Sequence, residues 1–207
     1  MPPDPTVFVV DDDPAMRDSL RWLLQSVGLP VQTYAAAEEF LEHYDATWPG
    51  CLVLDVRMPG MSGLKLQDVL AARHIQLPVI VVTGYAEVPT AVRALKTGAI
   101  DFIEKPFSDE LLLDRVRQAI EADRQTREAE ARRAAAMERF TSLTPREREV
   151  MKLVTAGKAN KVIAAELNLS PKTVEVHRAN VMKKMEVDSV ADLVRASLLL
   201  QSDQGKP

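Results

Sequence analysis

Carboxylates stand at the ends of two apolar runs. Val7-Phe8-Val9-Val10 leads into Asp11-Asp12-Asp13, and Cys51-Leu52-Val53-Leu54 ends in Asp55, with Met58-Pro59-Gly60 close behind. Short apolar runs closed by turn residues read as buried strands, so both sets of acids lie at strand ends. Carboxylates brought together repel, by about 4 kcal/mol for a pair 4 Å apart at an effective dielectric near 20, unless a cation or a proton intervenes. A hard divalent ion answers that repulsion. Mg²⁺ (or Mn²⁺) accepts one or two carboxylates and completes its octahedron with carbonyl, water and phosphate oxygens. With phosphate in that shell, a free carboxylate is a nucleophile for phosphoryl transfer, and the metal neutralises charge on the moving group. Lys105, in Glu104-Lys105-Pro106, could reach the same phosphoryl oxygens with its ammonium, and Thr83 with its hydroxyl.

A scaffold must hold these groups. From Val7 to about Gln118, strand-like patterns at Val7–Val10, Val31–Tyr34, Leu52–Asp55, Val79–Val82 and Ile100–Ile103 alternate with helical patterns at 14–27, 36–44, 63–73 and 88–97 and from Ser108 onward. Near-continuous apolar strands suit a parallel sheet covered on both faces, so this is an α/β, doubly wound (βα)5 pattern. In the strand order 2-1-3-4-5, the strands ending at Asp11 and Asp55 are neighbours at the topological switch point, where ligands bind. Punctuation agrees. Asp13-Pro14 reads as a helix cap with proline in the first turn, which makes Asp13 a cap rather than a metal ligand. Gly28 and Gly98 follow helix ends, and Ser108 can cap the fifth helix.

The chain has 207 residues and 46% hydrophobic content, enough for one or two buried cores. Its charge is uneven: residues 1–140 carry 15 Lys+Arg against 22 Asp+Glu, residues 141–207 carry 11 against 8. The two parts therefore face different partners. Cys51 is the only cysteine, which excludes an internal disulfide, and its place in a strand makes it an inert small hydrophobe. No apolar run approaches a membrane span and the N-terminus shows no basic-then-apolar leader, so no membrane association and a cytoplasmic location are expected. Residues 121–140, rich in Glu, Arg, Ala and Gln with hardly any apolar stripe, read as a helical linker, or equally as a partly frayed connector.

From Thr141 the patterns are helical throughout. Thr144-Pro145-Arg146-Glu147 is a capping box opening a helix that ends at Gly157; a short helix follows over Asn160–Leu167, with Asn168 as a left-handed stop. Ser170-Pro171 opens a third helix running to Met185 and Ser189 a fourth, so the second and third form a helix-turn-helix candidate. On the third helix Val174, Val181 and Met185 face inward. The opposite face carries Lys172, Val176, Ala179, Asn180 and Lys183, flanked by Thr173 and Glu175, and is small enough to enter a major groove. Lysines there suit phosphates or guanine, Asn180 suits adenine, and Val176 or Ala179 can touch a thymine methyl. Lys161 and Lys158 would approach the backbone. A solvated face of an interaction helix is the alternative reading of the same pattern.

VVDDD, LDVRMPGMSG, VVTGYA and DFIEKPF fall in the order and spacing of a two-component receiver domain, which residues 5–120 resemble. The resemblance implies that Asp55 accepts a phosphoryl group from a sensor histidine kinase. It further implies that Asp11, Asp12, Asp55 and the backbone carbonyl of Arg57 bind Mg²⁺, that Lys105 contacts the phosphate, and that Thr83 and Phe102 form a switch pair. Phe102 also reads as a plain core residue. Residues 141–202, with SPKTVEVHRANVMKKM, are similar to the LuxR-type helix-turn-helix domain; Glu175 and Ala179 depart from relatives with lysines on this face, so no base preference carries over. The whole chain resembles the NarL/FixJ group of response regulators and leans to its FixJ branch.

The expectation is therefore a phosphorylation-activated transcription regulator, not an enzyme beyond its own phosphotransfer and dephosphorylation. It would form a homodimer through a surface containing Val92 and Lys96, bind promoter DNA and engage RNA polymerase. Two rivals remain at this level. A phosphoaspartate phosphatase needs a second Asp two residues after the nucleophile, where this chain has Arg57; a phosphorylation-independent regulator would use the receiver only as an interaction module.

Overall fold

The computed structural model describes residues 4–84 and 87–201 and divides into two compact units, 1–127 and 128–207. Tyr85 lies outside the described residues. In the first unit the elements are β1 (Thr6–Val10), α1 (Pro14–Ser26), β2 (Val31–Tyr34), α2 (Ala37–His43), β3 (Gly50–Asp55), α3 (Gly63–Ala72), β4 (Val79–Thr83), α4 (Val88–Lys96) and β5 (Ala99–Glu104). The sheet is parallel with the expected order β2-β1-β3-β4-β5. Its helices α1 to α4 end within a residue or two of their sequence punctuation, and Asp13 caps α1 by accepting the Ala15 N–H (2.9 Å).

Strand alternation splits the core into two layers. Phe8, Val10, Leu52, Leu54, Val79 and Val81 pack with Phe40 of α2, Leu66 and Leu70 of α3 and Ala94 of α4. The intervening residues Val7, Val9, Cys51, Val53, Ile80, Val82 and Ile103 pack with Leu20 and Leu24 of α1 and with Leu112, Val116 and Ala119 of α5 (Asp109–Thr141). Both faces are covered, which is why β1, β3 and β4 read as unbroken apolar runs, while the edge strands β2 and β5 carry Gln32, Thr33 and Asp101. Cys51 is fully buried and its thiol is pushed up by desolvation, in keeping with an inert core residue.

Two differences from the sequence reading have causes elsewhere in the chain. β3 begins at Gly50, ahead of Leu52, because Gly50 pairs with Thr6 at φ +146°, where an added Cβ would lie 1.8 Å from the Thr6 carbonyl oxygen. Only glycine lets the backbones approach so closely. The segment read as linker is helical, and its first turns belong to the receiver: Asp123, 2% exposed, accepts the Gly50 N–H (2.9 Å) and the Arg127 Nε–H (2.8 Å). Arg127 also donates to the carbonyls of Ala46, Thr47 and Trp48, at 3.2, 3.2 and 2.7 Å.

The second unit holds α6 (Pro145–Thr155), α7 (Asn160–Leu167), α8 (Pro171–Met185) and α9 (Val190–Gln201). Val150, Met151, Val154, Ile163, Val174, Val181, Met185 and Leu193 form its core, joined by Phe140 from the end of α5. The capping box is present in both directions, and Asn168 stops α7 at φ 53°, ψ 48°. Glu147, 4% exposed, is held below the ordinary glutamate range, first by the hydrogen bond from Lys184 Nζ (2.7 Å), with help from the Thr144 N–H (2.8 Å) against desolvation. Since the folded value lies below the unfolded 4.5, this stabilisation is present above that pH and lost as pH falls through the folded value. Urea unfolding of this unit should therefore show an acid limb that Glu147→Gln flattens, while the variant is less stable than the native chain at neutral pH.

Candidate functional site

Register places the acids. Val10 pairs with Leu54 across β1 and β3, so Asp11 and Asp55 follow adjacent residues at the carboxyl edge of the sheet. Thr83 pairs with Glu104, and the Lys105 N–H donates to the Thr83 carbonyl (2.8 Å), which sets Lys105 beside the same edge. Lys105 Nζ donates to Asp11 Oδ2 (2.7 Å) and to Asp55 Oδ1 (2.8 Å) at once. The remaining carboxylate oxygens are also held: Asp55 Oδ2 accepts the Arg57 N–H (2.6 Å), Asp11 Oδ1 the Asp13 N–H (2.9 Å). Arg17 donates to the carbonyls of Asp11 (2.7 Å) and Asp12 (2.9 Å) and fixes the loop between β1 and α1. Gly63 opens α3 against this site, where a Cβ would meet the Asp55 carbonyl oxygen at 2.1 Å.

The electrostatics are those of a buried negative pair on one cation. Asp55 is pushed up from 3.8, chiefly by burial and also by Asp11, while Lys105 and the Arg57 N–H pull it down. Burial works to lower Lys105, but its hydrogen bonds to Asp11 and Asp55 outweigh this and raise it above 10.5. Asp12 is exposed at the mouth. Among the described residues no three acids, histidines or cysteines converge as an all-protein metal cage. Two buried carboxylates already gathered on one positive charge suit Mg²⁺, which needs only one or two carboxylates and keeps several waters. Thr83 is buried (1% exposed) at the end of β4. Phe102 is half-buried and packs against the layer containing Phe8 and Leu54, so core and switch readings share one position.

In the second unit α7 and α8 form the expected helix pair. Lys172, Glu175, Val176, Ala179, Asn180 and Lys183 are exposed on α8, and Lys161 is exposed on α7. Thr173 is half-buried, with its hydroxyl 2.8 Å from that of the capping Ser170. Lys158 is engaged within the domain by both carboxylate oxygens of Glu166 (2.6 and 2.7 Å), an association that local spacing did not reveal. On the receiver, Val92 and Lys96 are exposed on α4 together with Val88 and Leu95, and Ile100 is exposed on the neighbouring β5. Their apolar character was visible in the sequence; their exposure was not.

A parallel sheet with two carboxylates and a lysine at its switch point, in one chain with a helix-turn-helix unit, defines a response regulator. Residues 7–117 match the response regulator receiver domain and residues 141–197 the luxR family of bacterial regulatory proteins. The chain belongs to the NarL/FixJ family of two-component transcriptional regulators, in its FixJ branch. It is 50% identical over 191 residues to Nodulation protein W of Bradyrhizobium diazoefficiens, covering 92% of this chain and 84% of that one. Against the transcriptional regulatory protein FixJ of the same organism it is 44% identical over 192 residues, covering 93% and 94%. Among solved structures it resembles response regulator StyR (45% identity, TM-score 0.86, 95% and 99% covered) and full-length FixJ from B. japonicum (43%, 0.58, 95% and 97%). The family is one of transcription factors rather than of classical enzymes, which removes the phosphatase alternative.

Proposed function

We propose that Asp55 is the phosphoacceptor of this regulator and that its phosphorylation by a sensor histidine kinase drives dimerisation and promoter binding. The observation that carries this is the single Lys105 ammonium shared by Asp11 and Asp55 at the carboxyl edge of the sheet. Asp11, Asp12 and Asp55, with the Arg57 carbonyl, would hold Mg²⁺, which supplies charge neutralisation for the transferred phosphoryl group. Asp55 attacks the phosphorus as the P–N bond of the kinase's phosphohistidine breaks and its imidazole leaves, Lys105 moves from carboxylate to phosphoryl oxygens, and the Thr83 hydroxyl donates to the group once it is in place. Withdrawal of Thr83 toward the phosphate opens space for Phe102, on the neighbouring strand, to turn inward. Reorganised α4 and β5, with Val92 and Lys96 at the surface, then form a two-fold contact between copies. In the second unit Lys161 and Lys172 bind phosphates, with Lys158 once released from Glu166, while Thr173, Val176, Ala179, Asn180 and Lys183 enter the groove. Hydrolysis of the acyl phosphate at the same site resets the switch, RNA polymerase is the downstream partner, and the cytoplasm is the site of action; among the described residues no helix is long and apolar enough to cross a membrane.

Intact-mass measurement and sedimentation with a small-molecule phosphodonor test the reading. The native chain should gain one phosphoryl group that requires Mg²⁺ and shift from monomer to dimer, and Asp55→Asn should do neither. An unmodified native chain, or an Asp55→Asn variant that binds promoter DNA and activates transcription as well as the native one, would bring the phosphorylation-independent reading forward.

A further inference from the structure

The exposed face of α8 carries one anionic group. Glu175 stands in its second turn, between Lys172 and Val176, with its side chain exposed. Arg178, one helical turn further on, is directed away onto Asn160 Oδ1 (2.7 Å), and Glu175 takes part in no ion pair among the described residues. An unneutralised carboxylate on a surface that approaches DNA meets the field of the phosphates, so it weakens binding to any sequence that offers it nothing. The major groove offers carboxylates two amino donors, cytosine N4 and adenine N6. Adenine places its N7 acceptor beside the amino group and repels the second carboxylate oxygen; cytosine does not, and guanine's and thymine's own edges present acceptors but no donor. The N-terminal part of a recognition helix is also the part that reaches base edges.

We infer that Glu175 is a specificity-determining residue that selects a cytosine in each half-site by accepting a hydrogen bond from its N4 amino group, and that it penalises sequences lacking one. This rests on the DNA-binding reading of α8. Because Glu175 is exposed, its replacement leaves the core of the unit intact.

The test is selection from a pool of randomised double-stranded DNA by the full chain treated with phosphodonor and Mg²⁺, comparing the native protein with Glu175→Gln and Glu175→Ala. The native protein should enrich sites with a fixed C·G pair in each half-site, preferred by about tenfold. Glu175→Ala should lose the preference at that position alone and bind competitor DNA more tightly. Glu175→Gln should shift it toward adenine, since a carboxamide can address N6 and N7 together. Enriched sites whose base preferences are the same in all three proteins overturn the inference while leaving the DNA-binding reading standing. Enrichment of no sequence by the native protein overturns both.

Discussion

Lys105→Met lowers the stability of the receiver unit by about 3 kcal/mol at neutral pH in the absence of divalent cations, roughly 10 °C in melting temperature. The reason is the charge left behind. Asp11 and Asp55 side chains are only 5% and 8% exposed, and Lys105, at 19%, is the cation hydrogen-bonded to both. Breaking a buried ionic cluster by removing one partner costs more than the cluster contributes, because the remaining charges stay desolvated and repel. The cost stays near the low end for a buried pair, about 3 kcal/mol, because Lys105 is partly open to solvent. The pH dependence follows from the same groups. A carboxyl raised in the folded state stabilises most below its unfolded value and loses that contribution as pH rises through the folded one. Asp55 is already raised from 3.8, and loss of Lys105 raises it further. The variant should therefore weaken as pH climbs from the carboxylate range toward neutrality. In the native protein the Lys105 contribution holds below pH 10.5 and is lost above it, as pH rises through the elevated folded value. Asp55→Asn added to Lys105→Met should restore most of the lost stability, and Mg²⁺ should raise the melting temperature of the single variant more than that of the native chain. Equal stability of the native chain and Lys105→Met in chelator would show that the two carboxylates do not need the ammonium.

Arg127→Ala should cost about 3 kcal/mol, the low end for a buried pair because the Arg127 side chain is 31% exposed, since it strips the cation from a carboxylate that is 2% exposed and releases three carbonyls together. Arg127 gathers the chain from Ala46 to Trp48, and Trp48 stacks on Phe8 of the core, 6.3 Å between ring centroids with planes 7° apart. Loss of the clamp therefore loosens the turn into β3 as well as the helix. Amide exchange should accelerate over 45–50 and in α5 around Asp123. Arg127→Lys should recover little, since a single ammonium cannot reproduce a fork that reaches a carboxylate and three carbonyls. The effects of Asp123→Ala and Arg127→Ala should not add, as the two side chains form one network. A loss under about 1 kcal/mol for Arg127→Ala would place this pair with ordinary solvated helix pairs.

Most of the site was legible because the chemistry is carried by strand ends. Asp11, Asp55 and Thr83 each directly follow or close an apolar run and Lys105 comes one residue after a strand end, and a period-two strand leaves little freedom over where its last residue points. The helix-turn-helix was legible for a similar reason: Thr144, Asn168 and Ser170 are caps that act within a few residues of themselves. The clamp was not. Asp123 and Arg127 are spaced like any surface pair on a helix, and nothing near them in sequence announces that Gly50 and the loop 45–50 close over them. Position alone puts Lys158 near DNA, and its ion pair with Glu166, eight residues further along, is not visible in that position.

By itself, then, the sequence determined the elements, their order, the two functional parts and the identity of the acids and cations that can do chemistry. These are set by hydrophobic period, by backbone-specific residues such as Pro, Gly and Asn, and by the charges themselves, all of which act locally. Only the tertiary structure decided which charges neutralise one another. Lys105 is 50 residues from Asp55 and 94 from Asp11 along the chain, and Arg127 is about 80 from the carbonyls it binds. Coulomb and hydrogen-bond energies depend on distances in space and on the desolvation around each group, and both are fixed only when the two faces of the sheet are covered.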